Sequence, residues 1–183
     1  MRKRIGELHE RLASDLLNYL ARRVDPPEDA ADLLSETFLV AWRRSDRIPD
    51  DAEQSRMWMF VTARGVLANH HRGRRRRLAL ADTLRERLAT SQRRSSSEEN
   101  QTIVILDVRA ALELLPNNQS ELVRLVHWDG FTLIEAAQIA GVTESTARGR
   151  YERAKNRLRV ALSEAEDEQR GSRVLSDQTA TTA

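Results

Sequence analysis

Apolar residues recur at helical spacing along almost the whole of this 183-residue chain and nowhere alternate as a half-buried strand would. Only seven Gly and four Pro interrupt them. Helices are therefore the way this sequence buries apolar surface, and the fold class it predicts is all-α. A first helix is expected from Ile5 to Val24, broken by Pro26-Pro27. Pro27 can open a second, which carries Ala30, Leu33, Leu34, Phe38, Ala41 and Trp42 on one side. Ser45 to Gln54 reads as a polar break. A densely apolar helix, Met57 to Ala68, then runs straight into His70-His71-Arg72-Gly73-Arg74-Arg75-Arg76-Arg77.

Residues 82–101 read as a flexible linker, because Thr90 to Asn100 is polar throughout and cannot bury a face. That places one small helical domain over 1–81 and another over 102–162, with an acidic, then Ser/Thr-rich tail, 163–183, expected to be disordered. The second domain opens with Val108, Ala111, Leu112 and Leu115 and stops at Pro116. Asn118 is the expected N-cap of the next helix, whose Leu122, Leu125 and Val126 point inward and which ends before Gly130. Thr132-Leu133-Ile134-Glu135 has the form of a capping box, Gly141 marks a turn, and Thr143 is a second N-cap. The long helix after it turns Ala147, Tyr151, Ala154, Leu158 and Leu162 inward.

Apolar residues make up 40% and aromatic ones 4%, against about 45–50% apolar in an average globular chain. The core is thin, which argues against a large enzyme with a deep apolar pocket. Absence of Cys removes disulfides, thiolate zinc sites and cysteine nucleophiles together. No apolar run approaches the about 20 residues of a membrane span, and Met1-Arg2-Lys3-Arg4 leads into polar sequence rather than a signal core. No membrane insertion and a cytoplasmic location are the expectation.

The formal net charge of +2 hides an uneven distribution, and 28 of the 30 cations are Arg. Residues 43–77 hold ten Arg and four acids, and residues 144–159 hold six cations and two acids, on an otherwise acidic chain. Two basic blocks imply two contacts with a polyanion, and the planar Arg fork suits both phosphate and guanine.

The most specific local signal is Thr132 to Tyr151: a short helix, a Gly turn and a longer helix, the form of a helix-turn-helix. Ala137 is small where the helices cross, and Ala147 points back into the crossing. Glu144, Ser145, Arg148, Gly149 and Arg153 then face outward toward a major groove, with Arg150 placed for a phosphate. The plain alternative is a helical hairpin with a solvated face. The Arg72–Arg77 run is weaker by itself, but its attachment to an apolar helix fixes the cations to a scaffold. Trp58 and Phe60 nearby are either core or stacking partners for single-stranded bases. Asp32, Ser35 and Glu36 share one helix face and lack a His at ligand spacing, so a protein-contact face is favoured over metal binding. No catalytic constellation, metal site or cofactor loop is found, and an enzyme is not expected.

Taken together, these residues resemble bacterial sigma factors of the extracytoplasmic-function (ECF) type. Asp29 to Arg43 looks like the core-polymerase-binding motif of region 2. Arg56-Met57-Trp58-Met59-Phe60-Val61-Thr62-Ala63-Arg64 with the Arg run resembles the promoter-melting part of that region. Leu115-Pro116 and Gly130-Phe131-Thr132 through Arg150 resemble region 4. The resemblance implies that core RNA polymerase and promoter DNA are the partners, that initiation is directed to specific promoters, and that an anti-sigma factor controls the protein. It places Asp32, Ser35, Glu36 and Phe38 against the largest polymerase subunit, and the helix around Leu122 and Val126 at the flap of the second-largest. The Ser45–Ser55 loop would capture a flipped base of the −10 element, with Asn69, Arg72, Arg74, Arg75 and Arg76 on the melting duplex. Thr143, Glu144, Ser145, Thr146, Arg148, Gly149, Arg150 and Arg153 would meet the −35 element. Ser35, Ala31, Gly65 and Ala147 stand where the family usually has Gln, Glu, Asn and Val.

Two rival readings use the same residues. A dimeric helix-turn-helix regulator leaves residues 29–43 and the linker without a role. An Arg-rich RNA-binding or nuclease accessory protein would have to act without a metal site.

Overall fold

A computed structural model of the protein describes residues 2–88 and 108–180, and every described element is helical. The chain divides into two compact units, Met1–Glu98 and Glu99–Ala183.

The first unit is built from α1 (Arg2–Ala21), α2 (Asp29–Arg43) and α3 (Ala52–Leu88), with a short 3-10 turn at Ser45–Arg47. Leu8, Leu12, Leu16, Tyr19 and Leu20 form the buried stripe of α1 at spacings of three and four. Ala30, Leu33, Thr37 and Ala41 do the same for α2. Thr37 is tolerated there because its hydroxyl donates to Leu33 O at 2.7 Å. Met59, Phe60, Ala63, Val66 and Leu67 complete the core from α3. The Tyr19 and Phe60 rings meet edge to face, centroids 5.2 Å apart, and the Arg23 guanidinium lies 3.9 Å from the Tyr19 ring centroid.

Several helix ends differ from the sequence expectation. α1 ends at Ala21, and Val24 is buried in the turn beyond it. α2 starts at Asp29, two residues after Pro27, around Glu28. α3 begins at Ala52 rather than Met57, because Asp51 Oδ1 accepts from the backbone N–H groups of Glu53 (3.1 Å) and Gln54 (2.8 Å). At its far end α3 continues to Leu88, so residues 82–88, expected in the linker, are helical. Leu84, Arg85, Glu86, Arg87 and Leu88 are strong helix formers with no breaker among them. The rest of the linker, 89–101, lies outside the described residues, as do 102–107.

The second unit holds α4 (Val108–Glu113), α5 (Asn117–His127), α6 (Leu133–Ala140) and α7 (Glu144–Ala180). Leu112, Leu115, Val123 and Ala154 form a buried cluster on which Tyr151 and Leu158 pack. α5 starts two residues earlier than expected, at Asn117 after the N-cap Pro116, so Asn118 is inside the helix and does not cap it. Thr132 and Glu135 make the complete reciprocal capping box of α6. Gly141 closes that helix at φ 67°, and Val142 N–H returns to Ala137 O at 3.0 Å. α7 runs to Ala180, so 163–180, expected as a disordered tail, are helical. Glu164, Ala165, Glu166, Glu168, Gln169 and Arg170 are good helix formers.

The left-handed backbone at Gly141 gives the first testable prediction. Gly141→Ala places a Cβ in a conformation that costs an L residue roughly 1–2 kcal/mol, and thermal unfolding of the second unit should lose about that much. An unchanged melting profile would mean the turn relaxes without strain.

Candidate functional site

The outward side of α2 is set by the burial of Ala30, Leu33, Thr37 and Ala41 on its other side. Asp32, Ser35 and Glu36 are exposed there, at the spacings that bring residues onto one helix face. Ser35 Oγ donates back to Ala31 O at 3.0 Å, within its own helix. Phe38 is only half-buried, its ring 4.9 Å from that of His9 on α1. Two residues not singled out from sequence as contacts join this face: Leu39 is 56% exposed and Trp42 39%. Trp42 had been assigned to the core side by its position in the apolar pattern. The combination of acids with solvent-exposed Leu and Trp suits contact with another protein.

On α3 a second stripe runs alongside the buried one. Trp58, Thr62, Gly65, Asn69, Arg72 and Arg76 follow each other at three- and four-residue steps. Five of these, Arg76 excepted, line a cavity of about 410 Å³ with Val40 and Arg44 from the end of α2, Arg47 from the connecting turn, and Val61 and Val66. That volume lies within the about 300–1,000 Å³ of ligand pockets. Gly65 leaves its wall bare, since a Cβ there would meet nothing within 4 Å. The Arg72 guanidinium donates to Asn69 Oδ1, which leaves the Asn69 amide N–H groups to offer. Thr62 Oγ1 donates to Trp58 O at 2.9 Å and so turns only acceptor capacity outward. An aromatic ring, three guanidinium groups and an amide around one cavity match the chemistry of an unstacked base beside its phosphates. Of the two aromatics read from sequence, Trp58 belongs to this cavity and Phe60 to the core.

Arg74 is not part of that stripe. Two residues past Arg72 on a helix it points to the far side, where it donates to Asp25 O and lies 3.8 Å from Asp25 Oδ2. His70, one turn earlier, sits 3.5 Å from Asp29 Oδ2. The acidic α1–α2 turn therefore takes up one of the cations expected on DNA. His71 beside them is held below its ordinary pKa near 6.5: burial is the main cause, the positive charge of His70, Arg75 and Arg74 adds to it, and a hydrogen bond to the Arg23 backbone opposes it.

In the second unit Ala137 and Ala147 are buried where α6 and α7 cross, as their size predicted. Thr143 caps α7: its Oγ1 accepts from Thr146 N–H at 3.3 Å and also pairs with the hydroxyls of Thr146 (2.9 Å) and Ser145 (3.2 Å). Thr143, Glu144, Ser145, Arg148 and Arg153 are exposed, while Thr146, Gly149 and Arg150 are half-exposed. Arg153 lies over Gly149, with guanidinium nitrogens 3.7 and 3.8 Å from where a Cβ would stand. One expectation fails here. Leu122 is 1% exposed and packed in the core, so it offers no docking surface, whereas Val126 is half-buried. Leu122 was legible as inward from its helical spacing, and burial on that face excludes the contact role. On the reverse of α7, Tyr151 OH and His127 Nε2 lie 2.8 Å apart with their rings stacked.

Among the described residues no group of three or more His, Asp or Glu is placed to hold a metal ion, and no helix is long and apolar enough to cross a membrane.

The family model for Sigma-70 region 2 matches residues 8–77, and that for Sigma-70, region 4 matches residues 105–158. The chain is 31% identical over 133 residues to the ECF RNA polymerase sigma factor EcfG of Rhodopseudomonas palustris, covering 73% of this chain and 71% of that protein. It is 27% identical over 157 residues to the ECF RNA polymerase sigma factor SigL of Mycobacterium tuberculosis, covering 86% and 88%. Among solved structures, the sigma factor RpoE from Bartonella quintana, in complex with the anti-sigma factor NepR, has a similar fold. Its TM-score is 0.68 at 23% identity, over 88% of this chain and 98% of that one. CnrH in complex with the cytosolic domain of CnrY gives 0.62, also at 23%, over 89% and 90%.

The His71 environment sets a pH dependence. A folded-state pKa below the unfolded one means the unfolded chain binds the proton first. The stability contributed by neutral His71 is present above about pH 6.5 and is lost as pH falls from there through the folded pKa. The melting temperature of the first unit should drop between pH 7.5 and 5.5, and His71→Gln should flatten that drop. An equal slope in the variant would remove His71 as the cause.

Proposed function

The chain belongs to the ECF sigma factors of RNA polymerase, and we propose a division of that work among its surfaces. A sigma factor binds core RNA polymerase and directs initiation to specific promoters. The work is binding rather than bond-making, so we assign this chain no catalytic step and place it in the cytoplasm with the polymerase and its DNA.

Asp32, Ser35 and Glu36, flanked by Phe38, Leu39 and Trp42, dock on the core enzyme. The cavity between the 45–51 loop and α3 takes a base extruded from the −10 element, with Trp58 as the stacking surface and Asn69 offering donors to its edge. Arg72, Arg75 and Arg76 hold the backbone of the opening duplex, and Arg74 anchors the α1–α2 turn instead. Thr143 to Thr146, Arg148, Gly149, Arg150 and Arg153 meet the −35 element at the N-terminal half of α7. Val126 remains the flap-facing residue of α5. The observation that carries this reading is the continuous stripe from Trp58 to Arg76, which places stacking, amide and guanidinium groups on one side of one rigid helix. Extruding a base costs a few kcal/mol, and the phosphate contacts along that helix are what offset it.

Control by an anti-sigma factor is proposed on the likeness to RpoE of Bartonella quintana, whose structure contains one. The exposed apolar–acidic face of α2 is a surface that such a partner and the polymerase would compete for.

Glu36→Lys should abolish stoichiometric co-elution with sigma-free core polymerase while the melting temperature stays unchanged, because it reverses an exposed charge within the proposed docking face. Undiminished binding would refute the assignment of α2. Arg148→Ala should weaken promoters carrying the preferred −35 base by roughly 1–3 kcal/mol and leave others nearly untouched. Equal weakening of every promoter would make Arg148 a phosphate contact.

A further inference from the structure

We infer that Arg4 is a positioning residue for promoter opening, holding the 45–51 loop in the shape that receives the extruded base. The inference rests on the base-capture role proposed above. The loop follows the 3-10 turn Ser45–Arg47 and runs extended through Ile48 (φ −73°, ψ 122°) until Asp51 caps α3. Its backbone makes three hydrogen bonds: Arg47 N–H to Arg44 O at 2.9 Å, Ile48 N–H to Ser45 O at 3.4 Å and, at its end, Ser55 N–H to Asp51 O at 2.9 Å. Pro49 contributes no donor.

Two arginines of α1 grip this stretch from behind. Arg4 Nη2 donates to Ile48 O at 2.6 Å and to Pro49 O at 2.7 Å, and lies 2.9 Å from Asp50 Oδ1. Two turns further along α1, Arg11 Nη2 donates to the buried Ser55 Oγ at 2.8 Å. The loop and the first turn of α3 are thereby fixed to the same helix. Arg47, which lines the cavity, is the neighbour of Ile48, whose side chain is buried and whose carbonyl Arg4 holds. Where Arg4 pins that carbonyl decides how far Arg47 stands from Trp58 and Asn69 across the cavity.

The two carbonyl bonds carry this role more than the ion pair does. Asp50 is almost fully exposed, and such pairs contribute little, whereas a guanidinium bonded to two part-buried carbonyls is charge-assisted and directional. Arg4 itself precedes the segment that the region 2 family model matches, residues 8–77, whereas the carbonyls it holds lie within that segment.

The test is selection of promoters by the reconstituted holoenzyme from double-stranded DNA randomised upstream of a transcribed barcode, followed by sequencing of the transcripts. Wild-type chain should enrich a −35 and a −10 motif with at least one strongly preferred −10 base. Arg4→Ala should lower the preference at that base about tenfold, the order of one well-placed readout pair. Its −35 motif and its co-elution with core should stay as in wild type. Arg4→Lys keeps a charge beside Asp50 but lacks the reach and fork of Arg, so it should behave like Arg4→Ala, and it decides the matter if the alanine variant does not fold. Asp50→Asn should select the wild-type motif. An unchanged −10 motif in both Arg4 variants, a loss spread evenly over −10 and −35 positions, or rescue by Arg4→Lys would overturn the positioning role. A wild-type chain that enriches a −35 motif but no −10 base would instead overturn the base-capture reading beneath it.

Discussion

The contact between Tyr19 and Phe60 fixes the rotation of α3 about its own axis, and nearly everything proposed for the first unit follows from that angle. A helix advances about 100° per residue, and α3 is unbroken from Ala52 to Leu88. Once Met59, Phe60, Ala63, Val66 and Leu67 are buried, the directions of Gly65, Asn69, Arg72 and Arg76 are no longer free. The side chains that would hold DNA are thus aimed by apolar packing two to four turns away. Gly73, within the same run, costs some helix propensity, yet the helix passes through it without a kink-forming Pro.

Electrostatics limits how such a helix can be built. Five arginines between 72 and 77 repel one another, and an unpaired cluster of that density weakens the fold that carries it. Asp25 in the α1–α2 turn and Asp29 at the start of α2 face Arg74 and His70 on the side away from the cavity and offset part of that repulsion. On the cavity side the relief is left to a partner. Surface ion pairs are weak in water, so the Asp25–Arg74 contact orients more than it stabilises, while a polyanion gains from displacing counterions along the remaining stripe.

Features governed by local chemistry were legible in the sequence. The Thr132–Glu135 capping box, the left-handed Gly141 and the Thr143 cap depend on residues within four positions of one another, and all three form as read. The crossing of α6 and α7 at Ala137 and Ala147 was legible too, because small residues and helical period leave one solution. Helix ends were less so. Asp51 lies in a run of polar residues where nothing in the local pattern sets it apart, yet its side chain accepts from the N–H groups of Glu53 and Gln54 and starts α3 there. α3 and α7 run past the ends their apolar pattern suggests, through good helix formers such as Leu84 to Leu88 and Glu164 to Glu166. What a linear reading could not supply was direction within a charge run. Six neighbouring residues with four or more Arg look equivalent as a string, whereas on a helix Arg72 and Arg74 are on opposite sides. Arg4 was invisible for the same reason: its partners are 44 and 45 residues away.

The side of α2 proposed to face the polymerase shows how a departure from a family pattern is absorbed. Where Gln is usual, Ser35 is short and spends its hydroxyl on Ala31 O, so it reaches no partner across an interface without giving up that bond. Ala31 adds no charge where Glu is usual. Both changes remove polar reach and leave apolar surface, and next to them Leu39 and Trp42 stand in solvent. Burying a Trp at the centre of an interface outweighs most single hydrogen bonds, whose net contribution is reduced by the water they displace. On the docking role proposed for this face, binding would depend more on desolvating Leu39 and Trp42, with Asp32 and Glu36 setting register and excluding wrong partners. The same apolar pair explains why a competing partner for this surface would need a groove rather than a set of matching charges.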